Sequence, residues 1–246
     1  MSAAAVAPSP LSKLLSRQEV AERTLALRFE RPSHWSFQAG QYLDMTLIDP
    51  KQTDGEGNTR TFSIASSPHE ASLMIATRLR DSAFKRTLQS LRVGTSVHLT
   101  GPAGDLTLDG ASPRPAVLLA GGIGITPFRS MVLRAAEEEL PRRIFLFYSN
   151  RRPEDAPFLE ELQALERENP NYKLIATMTG MAKSQRRWNG ETGKIDRAML
   201  SRYLRNAVAP LYYVAGPPQM VQALHTMLSQ AGIREDDIRA EEFAGY

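Results

Sequence analysis

The sequence contains no cysteine, and this absence removes several kinds of chemistry. Without thiols the chain cannot form disulfides, use a thiol nucleophile, or hold zinc or an iron–sulfur cluster through cysteine. The four histidines, His34, His69, His98 and His225, are scattered and lack the spacing of a helical metal site. The sequence therefore predicts no metal centre.

Long apolar runs and a strong excess of one charge are also missing. The longest apolar run covers about residues 116–120, far short of the roughly 20 residues of a membrane-spanning helix. Residues 1–10 lack the basic and apolar regions of a signal peptide and predict a disordered tail. The net charge of +3 comes without the dense basic tract typical of nucleic-acid binding. These absences predict a cytoplasmic globular protein with no membrane span and no nucleic-acid partner.

The 246 residues divide into two patterns at a Gly/Pro/Ser-rich connector, residues 109–115. Before the connector, apolar residues at alternate positions predict short strands, which suggest a sandwich or small barrel. A helix is predicted over 83–91, with Asp81 or Ser82 as its N-cap. The predicted strands cover residues 24–30, 41–47, 61–65, 73–79 and 96–100.

After the connector, strands alternate with helices, which predicts a doubly wound α/β domain with a mostly parallel sheet. The continuous apolar run 116–120 is typical of a parallel strand covered on both faces. Further strands are predicted at 143–148, 172–178, 211–215 and 238–243, and helices at 127–140, 156–168, 196–204 and 217–230. The domain boundaries predicted in this way are 11–110 and 111–246.

A glycine-rich turn, Ala-Gly-Gly-Ile-Gly-Ile-Thr-Pro at 120–127, joins the first strand of the second domain to a helix. Glycines allow a sharp bend and a close approach of the backbone to a ligand. The free N–H groups at a helix N-terminus favour a pyrophosphate, and Pro127 suits the first helical position. We predict a phosphate-binding turn here, with an ordinary tight strand–helix turn as the alternative.

A second candidate site is Arg60-Thr61-Phe62-Ser63, where a predicted strand begins. Arg60 can bind a phosphate with its planar guanidinium. Phe62 lies on the same side of the strand and can cover a flat ring, while Ser63 offers a donor to a ring nitrogen. Taken alone, the pattern favours an ordinary strand beside a charged residue.

Four motifs occur in one order: the Arg-x-aromatic-Ser of 60–63, the turn ending in Thr126-Pro127, the Ala-Gly-Pro-Pro of 215–218, and the C-terminal Glu-Phe-Ala-Gly-Tyr of 242–246. Together they resemble the ferredoxin–NADP reductase superfamily over about residues 12–246. The most similar branch comprises bacterial flavin reductases and oxygenase reductase components without an iron–sulfur domain. The resemblance implies an N-terminal antiparallel β-barrel that binds FAD and a C-terminal α/β domain that binds NAD(P)H.

The resemblance also implies roles for individual residues. Arg60 would pair with the FAD pyrophosphate, Phe62 would lie against the flavin or its ribityl chain, and Ser63 would hydrogen-bond near flavin N5. The remaining implied FAD contacts are Thr61, Thr77, Arg78 and Ser82. The implied NAD(P)H contacts are Gly122, Gly124, Thr126 and Pro127 at the phosphates, and Gly216 and Pro217 at the nicotinamide.

The C-terminal aromatic Tyr246 would stack on the flavin face, with Phe243 as the alternative. Ser63 and Tyr246 are therefore the implied catalytic residues. Two departures from the superfamily are Phe62, where relatives usually have tyrosine, and Ala215, where many have cysteine. Because hydride transfer needs no ionising protein group, neither departure excludes catalysis.

The choice between NADH and NADPH is expected after the second strand of the α/β domain, at residues 148–153. An acid there would bind the ribose 2′-hydroxyl, whereas arginine accommodates a 2′-phosphate. No acid occurs before Glu154, and Ser149 with Arg151 or Arg152 can hold a phosphate. The segment favours NADPH.

These observations predict an FAD-dependent NAD(P)H oxidoreductase. It would transfer a hydride from NAD(P)H to FAD and then pass electrons to a separate acceptor, such as a ferredoxin, a flavodoxin, an oxygenase component or a small molecule. Two alternatives stay open. One is a free-flavin reductase that holds FAD only as a substrate; the other, favoured by Ala215 and Phe62, is a non-catalytic flavin-binding sensory subunit.

Overall fold

The N-terminal half of the chain forms one antiparallel sheet whose two ends meet. The structure is a computed structural model that describes residues 10–33, 35–108 and 112–243. The strands are β1 (Leu11–Ala21), β2 (Thr24–Glu30), β3 (Tyr42–Leu47), β4 (Thr59–Ser63), β5 (Ser72–Arg78) and β6 (Ser96–Ala103), in the order β4-β3-β6-β1-β2-β5. Just beyond β4, the Ala65 N–H donates to the Met74 carbonyl of β5 at 2.7 Å. This contact closes the sheet into a barrel-like domain.

One helix, α1 (Ala83–Ser90), packs against the barrel core. Its Ser82 N-cap hydroxyl accepts from the Lys85 N–H at 3.3 Å, which satisfies one of the free donors of the first turn. Phe84 and Leu88 of α1 are 2% and 0% exposed. Burial of such side chains contributes about 1.5–3 kcal/mol each, so α1 is held mainly by its apolar face.

The second half forms a six-stranded parallel sheet between two helical layers. Its strands are β7 (Ala116–Gly121), β8 (Ile144–Asn150), β9 (Tyr172–Met178), β10 (Glu191–Thr192), β11 (Leu211–Gly216) and β12 (Ile238–Glu242), in the order β10-β9-β8-β7-β11-β12. The helices are α2 (Ile125–Glu137), α3 (Leu159–Glu168), α4 (Arg197–Tyr203) and α5 (Pro218–Gln230). The core on one face includes α2 and α3, and the core on the other includes α4 and α5.

Strand order reverses between β7 and β11, which are hydrogen-bonded neighbours. Open parallel sheets bind ligands at the carboxyl ends of the strands on either side of such a switch point. In this chain, β7 ends at Gly121 and β11 ends at Gly216. Two of the four sequence motifs therefore lie at the position where the topology favours a ligand.

The predicted fold class is confirmed: an antiparallel barrel-like domain precedes a doubly wound α/β domain. Several details differ from prediction. The strands β1 and β10 were not predicted, α3 begins at Leu159 and not at residue 156, and α2 begins at Ile125. Pro127 is consequently the third helical residue and not the first, although its missing N–H still falls within the free first turn. The boundary at 110/111 stays a prediction.

None of the helices in the described ranges has the length and apolar character needed to cross a bilayer.

Candidate functional site

A cavity of about 500 Å³ lies where residues of both domains meet, at the carboxyl ends of β7, β8 and β11. Its size is within the range of small-molecule sites. The α/β domain lines it with Gly122, Ser149, Asn150, Arg151 and Pro217, and the barrel domain with Arg23, Arg78 and Arg80. The structure therefore brings five of the predicted cofactor residues together: Arg78, Gly122, Ser149, Arg151 and Pro217.

The glycine-rich turn forms one wall of this cavity. A short 3₁₀ turn, Gly122–Gly124, follows β7 and leads directly into α2. Gly122 has a φ of +54° and faces open space, whereas a Cβ on Gly124 would lie 2.3 Å from the Ala215 carbonyl oxygen. Glycine is therefore required at 124 by the close approach of the turn to β11.

Three other residues predicted to contact the nucleotide lie in or next to the turn and are buried. Thr126 is 3% exposed and its hydroxyl donates to the Ile123 carbonyl at 3.0 Å. Pro127 is buried beside it. Gly216 lies against Gly121, and its carbonyl accepts from the Phe243 N–H at 3.0 Å. Contact of Thr126, Pro127 and Gly216 with a nucleotide stays a prediction.

Positive charge dominates the cavity wall. Four arginines line it, and its one carboxylate, Asp155, accepts from Arg152 at 2.8 Å and lies 3.9 Å from Arg78. Asn150 is 6% exposed, and within the described ranges neither atom of its amide makes a hydrogen bond of acceptable geometry. Buried polar atoms of this kind are normally satisfied by water or a ligand. The wall fits the phosphates and polar groups of a dinucleotide.

A second group of cations lies at the N-terminus of α1. Arg60 of β4 donates to Asp54 at 3.1 Å, forms an ion pair with Glu56 at 2.8 Å, and lies 5.0 Å from the centre of the Phe84 ring. The Asp54 carboxylate also accepts from the Ala83 N–H at 3.0 Å. An anion is therefore held between the Arg60 guanidinium and the helix N-terminus, which is the arrangement that binds phosphates.

Neighbouring charges and burial shift the pKa values of two residues in this group. Desolvation opposes ionisation of Asp54, but the hydrogen bonds from Glu56, Ala83 and Arg60 lower its pKa below the ordinary value. Burial, together with repulsion from Arg80 and Arg60, lowers the pKa of Lys85 to about 8. Three cations beside one helix N-terminus fit a diphosphate, because a divalent anion relieves their mutual repulsion.

Sequence reasoning missed Lys85, Asp54 and Arg80 as members of this group. A basic residue in the first turn of a helix, just after the Ser82 cap, was the available signal for Lys85. Asp54 has no local signal, since it reaches Ala83 across 29 residues.

The rest of the β4 motif lies in or near the barrel core. Phe62 is 9% exposed, with its ring centre 6.0 Å from that of Phe84. Ser63 and Thr77 are also buried, while the hydroxyl of exposed Thr61 donates to Asp44. The structure does not bring these residues into the 500 Å³ cavity, and their flavin contacts stay predictions.

Of the two aromatic residues predicted to stack on the flavin face, the structure describes Phe243. Phe243 is half-buried at the junction of the domains, where it packs against a cluster of Ala26, Ala65, Met74, Ala76 and Ile123. Tyr246 lies outside the described residues. The stacking role of either aromatic stays a prediction.

Fold and cavity together define a class: a barrel domain joined to a dinucleotide-type α/β domain, with a cationic cavity between them. Residues 118–226 match the family model of the oxidoreductase NAD-binding domain. The phenol hydroxylase P5 protein of Acinetobacter pittii is 28% identical over 222 residues, covering 89% of this chain and 60% of that protein. Reductase component 2 of terephthalate 1,2-dioxygenase from Comamonas sp. is 26% identical, with 89% and 63% covered.

A ferredoxin NADP⁺ reductase from Neisseria gonorrhoeae, solved with bound FAD and NADP, has the same fold, with a TM-score of 0.79 at 20% identity. The superposition covers 96% of this chain and 99% of that one. The chain spans about three fifths of the length of the two curated relatives. The chain has the fold of this ferredoxin NADP⁺ reductase and residues 118–226 match an oxidoreductase NAD-binding domain, in agreement with the resemblance read from the four motifs.

Proposed function

We propose that this protein is an FAD-dependent NAD(P)H oxidoreductase that passes electrons to a separate acceptor. The observation that carries the proposal is a cavity at the switch point of the parallel sheet, to which both domains contribute arginines. The Arg60 group on the barrel domain would hold the FAD diphosphate. The glycine turn with Ser149, Asn150 and Arg151 would hold the nicotinamide nucleotide.

When bound, FAD supplies the chemistry of accepting a hydride and releasing electrons singly or in pairs. The protein's own residues bind and orient. Gly122 and Gly124 allow the backbone to approach the nucleotide, and Ser63 would direct a hydrogen bond toward the flavin ring. No side chain has to gain or lose a proton for the hydride to move, so Ala215 in place of cysteine is compatible with activity.

For the acceptor we propose the oxygenase component of a hydroxylating system. Two relatives named above are a phenol hydroxylase protein and a reductase component of terephthalate 1,2-dioxygenase. With no cysteine to ligate an iron–sulfur cluster in this chain, electrons would leave the flavin directly for the acceptor. A ferredoxin or a flavodoxin is the alternative protein acceptor.

The test is anaerobic mixing of the purified protein, loaded with FAD, with NADPH or NADH. We expect FAD to co-elute with the protein on gel filtration and its absorbance to bleach on mixing. Co-elution without bleaching would support the sensory subunit instead. Bleaching of added FAD that does not co-elute would support a free-flavin reductase.

We also propose that Arg151 gives a preference for NADPH. Arg152 is engaged by Asp155 at 2.8 Å and by Glu22 at 2.6 Å. Arg151 is exposed at the cavity and forms no ion pair within the described part of the chain. Of the two arginines considered, Arg151 is therefore the one free to meet a 2′-phosphate, together with Ser149.

Arg151→Ala should lower kcat/KM for NADPH and leave kcat/KM for NADH almost unchanged. Hydrogen bonds to charged groups are worth about 1.5–3 kcal/mol, which corresponds to a loss of roughly 10- to 100-fold. Steady-state reduction of a dye acceptor with each nucleotide measures the ratio. Arg187→Ala, an exposed arginine away from the cavity lining, is the control. Unchanged NADPH efficiency in Arg151→Ala would refute the assignment.

Affinity for FAD should fall as the pH rises above the Lys85 pKa of about 8. Below that pH the ammonium group is charged and attracts the diphosphate; above it, binding must be coupled to proton uptake. The groups that face Lys85 are Arg80, Arg60 and Glu56, and arginine stays protonated throughout.

Flavin fluorescence titrations between about pH 7 and pH 9.5 measure this dependence, which has a limit of about tenfold in Kd per pH unit for one proton. Lys85→Met should bind FAD more weakly at neutral pH, with a flatter profile. Ionisation of the flavin ring itself affects both proteins equally. Parallel profiles for the two proteins would contradict the role of Lys85.

A further inference from the structure

We propose that Arg129 and Ser130 are positioning residues for hydride transfer. They hold the glycine-rich turn 120–127 against the end of β4. The inference rests on the proposed function. The alignment of the nicotinamide and flavin rings would then depend on a side of α2 that neither lines the cavity nor belongs to the four sequence motifs.

Two side chains of α2 reach the barrel chain just beyond the flavin motif. Arg129 donates from Nη1 to the Ala65 carbonyl at 2.6 Å, and the Ser130 hydroxyl donates to the Ser66 carbonyl at 2.6 Å. These carbonyls belong to the second and third residues after Ser63. The helix that begins at the glycine turn is thereby tied directly to the end of the strand that carries Arg60, Phe62 and Ser63.

Charge pairing holds Arg129 in this position. Its side chain is 4% exposed, and it contacts Glu161 of α3 at 2.5 and 2.7 Å and Glu70 of the barrel domain at 3.0 Å. The Phe158 ring centre lies 5.0 Å from the guanidinium carbon. A buried charge is tolerated only when it is paired and hydrogen-bonded. The network therefore fixes one geometry between the two domains.

Further contacts follow the same helix toward its C-terminal end. Ser67 hydrogen-bonds to Glu137, and His69 contacts Glu138 at 2.9 Å. The side of α2 from Arg129 to its C-cap residue Glu138 thus faces the barrel segment 65–70. Because His69 and Glu138 are more exposed, Arg129 and Ser130 form the buried end of this row.

The functional consequence concerns distance. A reacting pair has to lie about 3–3.5 Å apart, and a misplacement of 1 Å can cost about 100-fold in rate. Each domain would carry one ring, so movement of α2 relative to residues 64–66 becomes movement of one ring relative to the other. Loss of the link should slow hydride transfer while each dinucleotide still binds its own domain.

Ser130→Ala and Arg129→Met test the inference in the FAD-loaded protein. Anaerobic stopped-flow mixing with saturating NADPH gives the rate of flavin reduction, the nicotinamide–flavin charge-transfer absorbance and the isotope effect of deuterated nucleotide. We expect the rate to fall about tenfold in Ser130→Ala and about 100-fold in Arg129→Met, with a weaker charge-transfer band. The Kd values for FAD and NADP⁺ should change less than about twofold.

Arg167→Met is the control, because Arg167 is an exposed arginine in the last turn of α3, the helix that also carries Glu161. It should behave as the wild type. Wild-type rates and absorbance in Ser130→Ala, which removes one hydroxyl, would overturn the inference even if Arg129→Met fails to fold. Parallel loss of FAD binding and thermal stability would also overturn it, in favour of a merely structural role. Absence of flavin reduction in the wild type would instead refute the proposed function.

Discussion

Arg60→Met should yield protein that purifies without flavin, with the Kd for FAD raised about 100-fold. The guanidinium lies at the N-terminus of α1, where it holds the Asp54 carboxylate together with the Ala83 N–H. A diphosphate in that position would accept charge-assisted hydrogen bonds, each worth about 1.5–3 kcal/mol. Loss of two of them, each at the lower end of this range, accounts for the expected change. Flavin content after gel filtration and a fluorescence titration measure it.

Two further variants sharpen this test. Arg86→Met is the matched control, because Arg86 is exposed on the same helix and pairs with Asp81. It should retain FAD. Asp54→Asn should have the opposite effect to Arg60→Met and tighten FAD binding, since the internal carboxylate that competes for the same donors loses its charge. Retention of FAD by Arg60→Met, or weaker binding in Asp54→Asn, would contradict a diphosphate site here.

The local parts of these sites could be predicted from the sequence. The turn at 120–127 follows from short-range patterns, because a buried strand, several glycines and the beginning of a helix occur within a dozen residues. Arg60 was found through its motif. Asp54 could not be assigned, because its position depends on the loop 50–58 folding back onto α1, a contact that no local pattern records. Lys85 had a local signal, its place in the first turn after Ser82, which was not used.

The errors have physical reasons as well. β1 was missed because Ser12 and Leu14 are its only fully buried residues, while Leu11 and Leu15 are exposed, so its apolar residues do not alternate. Phe62 packs into the barrel core beside Phe84, and its contact with a flavin ring stays a prediction. A clear signal was overlooked at Arg129: a charged residue within the apolar helix segment 125–132 indicates a buried ion pair.

Gly124→Ala should reduce NAD(P)H-dependent flavin reduction by about 100-fold or more. The backbone of Gly124 has φ −59° and ψ −2°, which alanine adopts without strain. The effect is therefore steric. The new Cβ would lie 2.3 Å from the Ala215 carbonyl oxygen and 2.7 Å from the Gly216 nitrogen. These are backbone atoms of β11, hydrogen-bonded within the sheet, so the turn has to move away from the end of that strand.

Movement of the turn separates its two predicted partners, the phosphates at Gly122 and the nicotinamide at Gly216 and Pro217. A shift of about 1 Å is enough for the expected loss, while FAD binding at Arg60 and Lys85 should be retained. Gly55→Ala is the control, because a Cβ there meets nothing within 4 Å.

Gly122→Ala distinguishes backbone strain from steric overlap. The φ of +54° at this position costs alanine about 1–2 kcal/mol, but the added Cβ meets no other atom within 4 Å. We therefore expect activity to fall far more in Gly124→Ala than in Gly122→Ala. The reverse order would mean that a positive φ, and not the approach to β11, requires glycine in this turn.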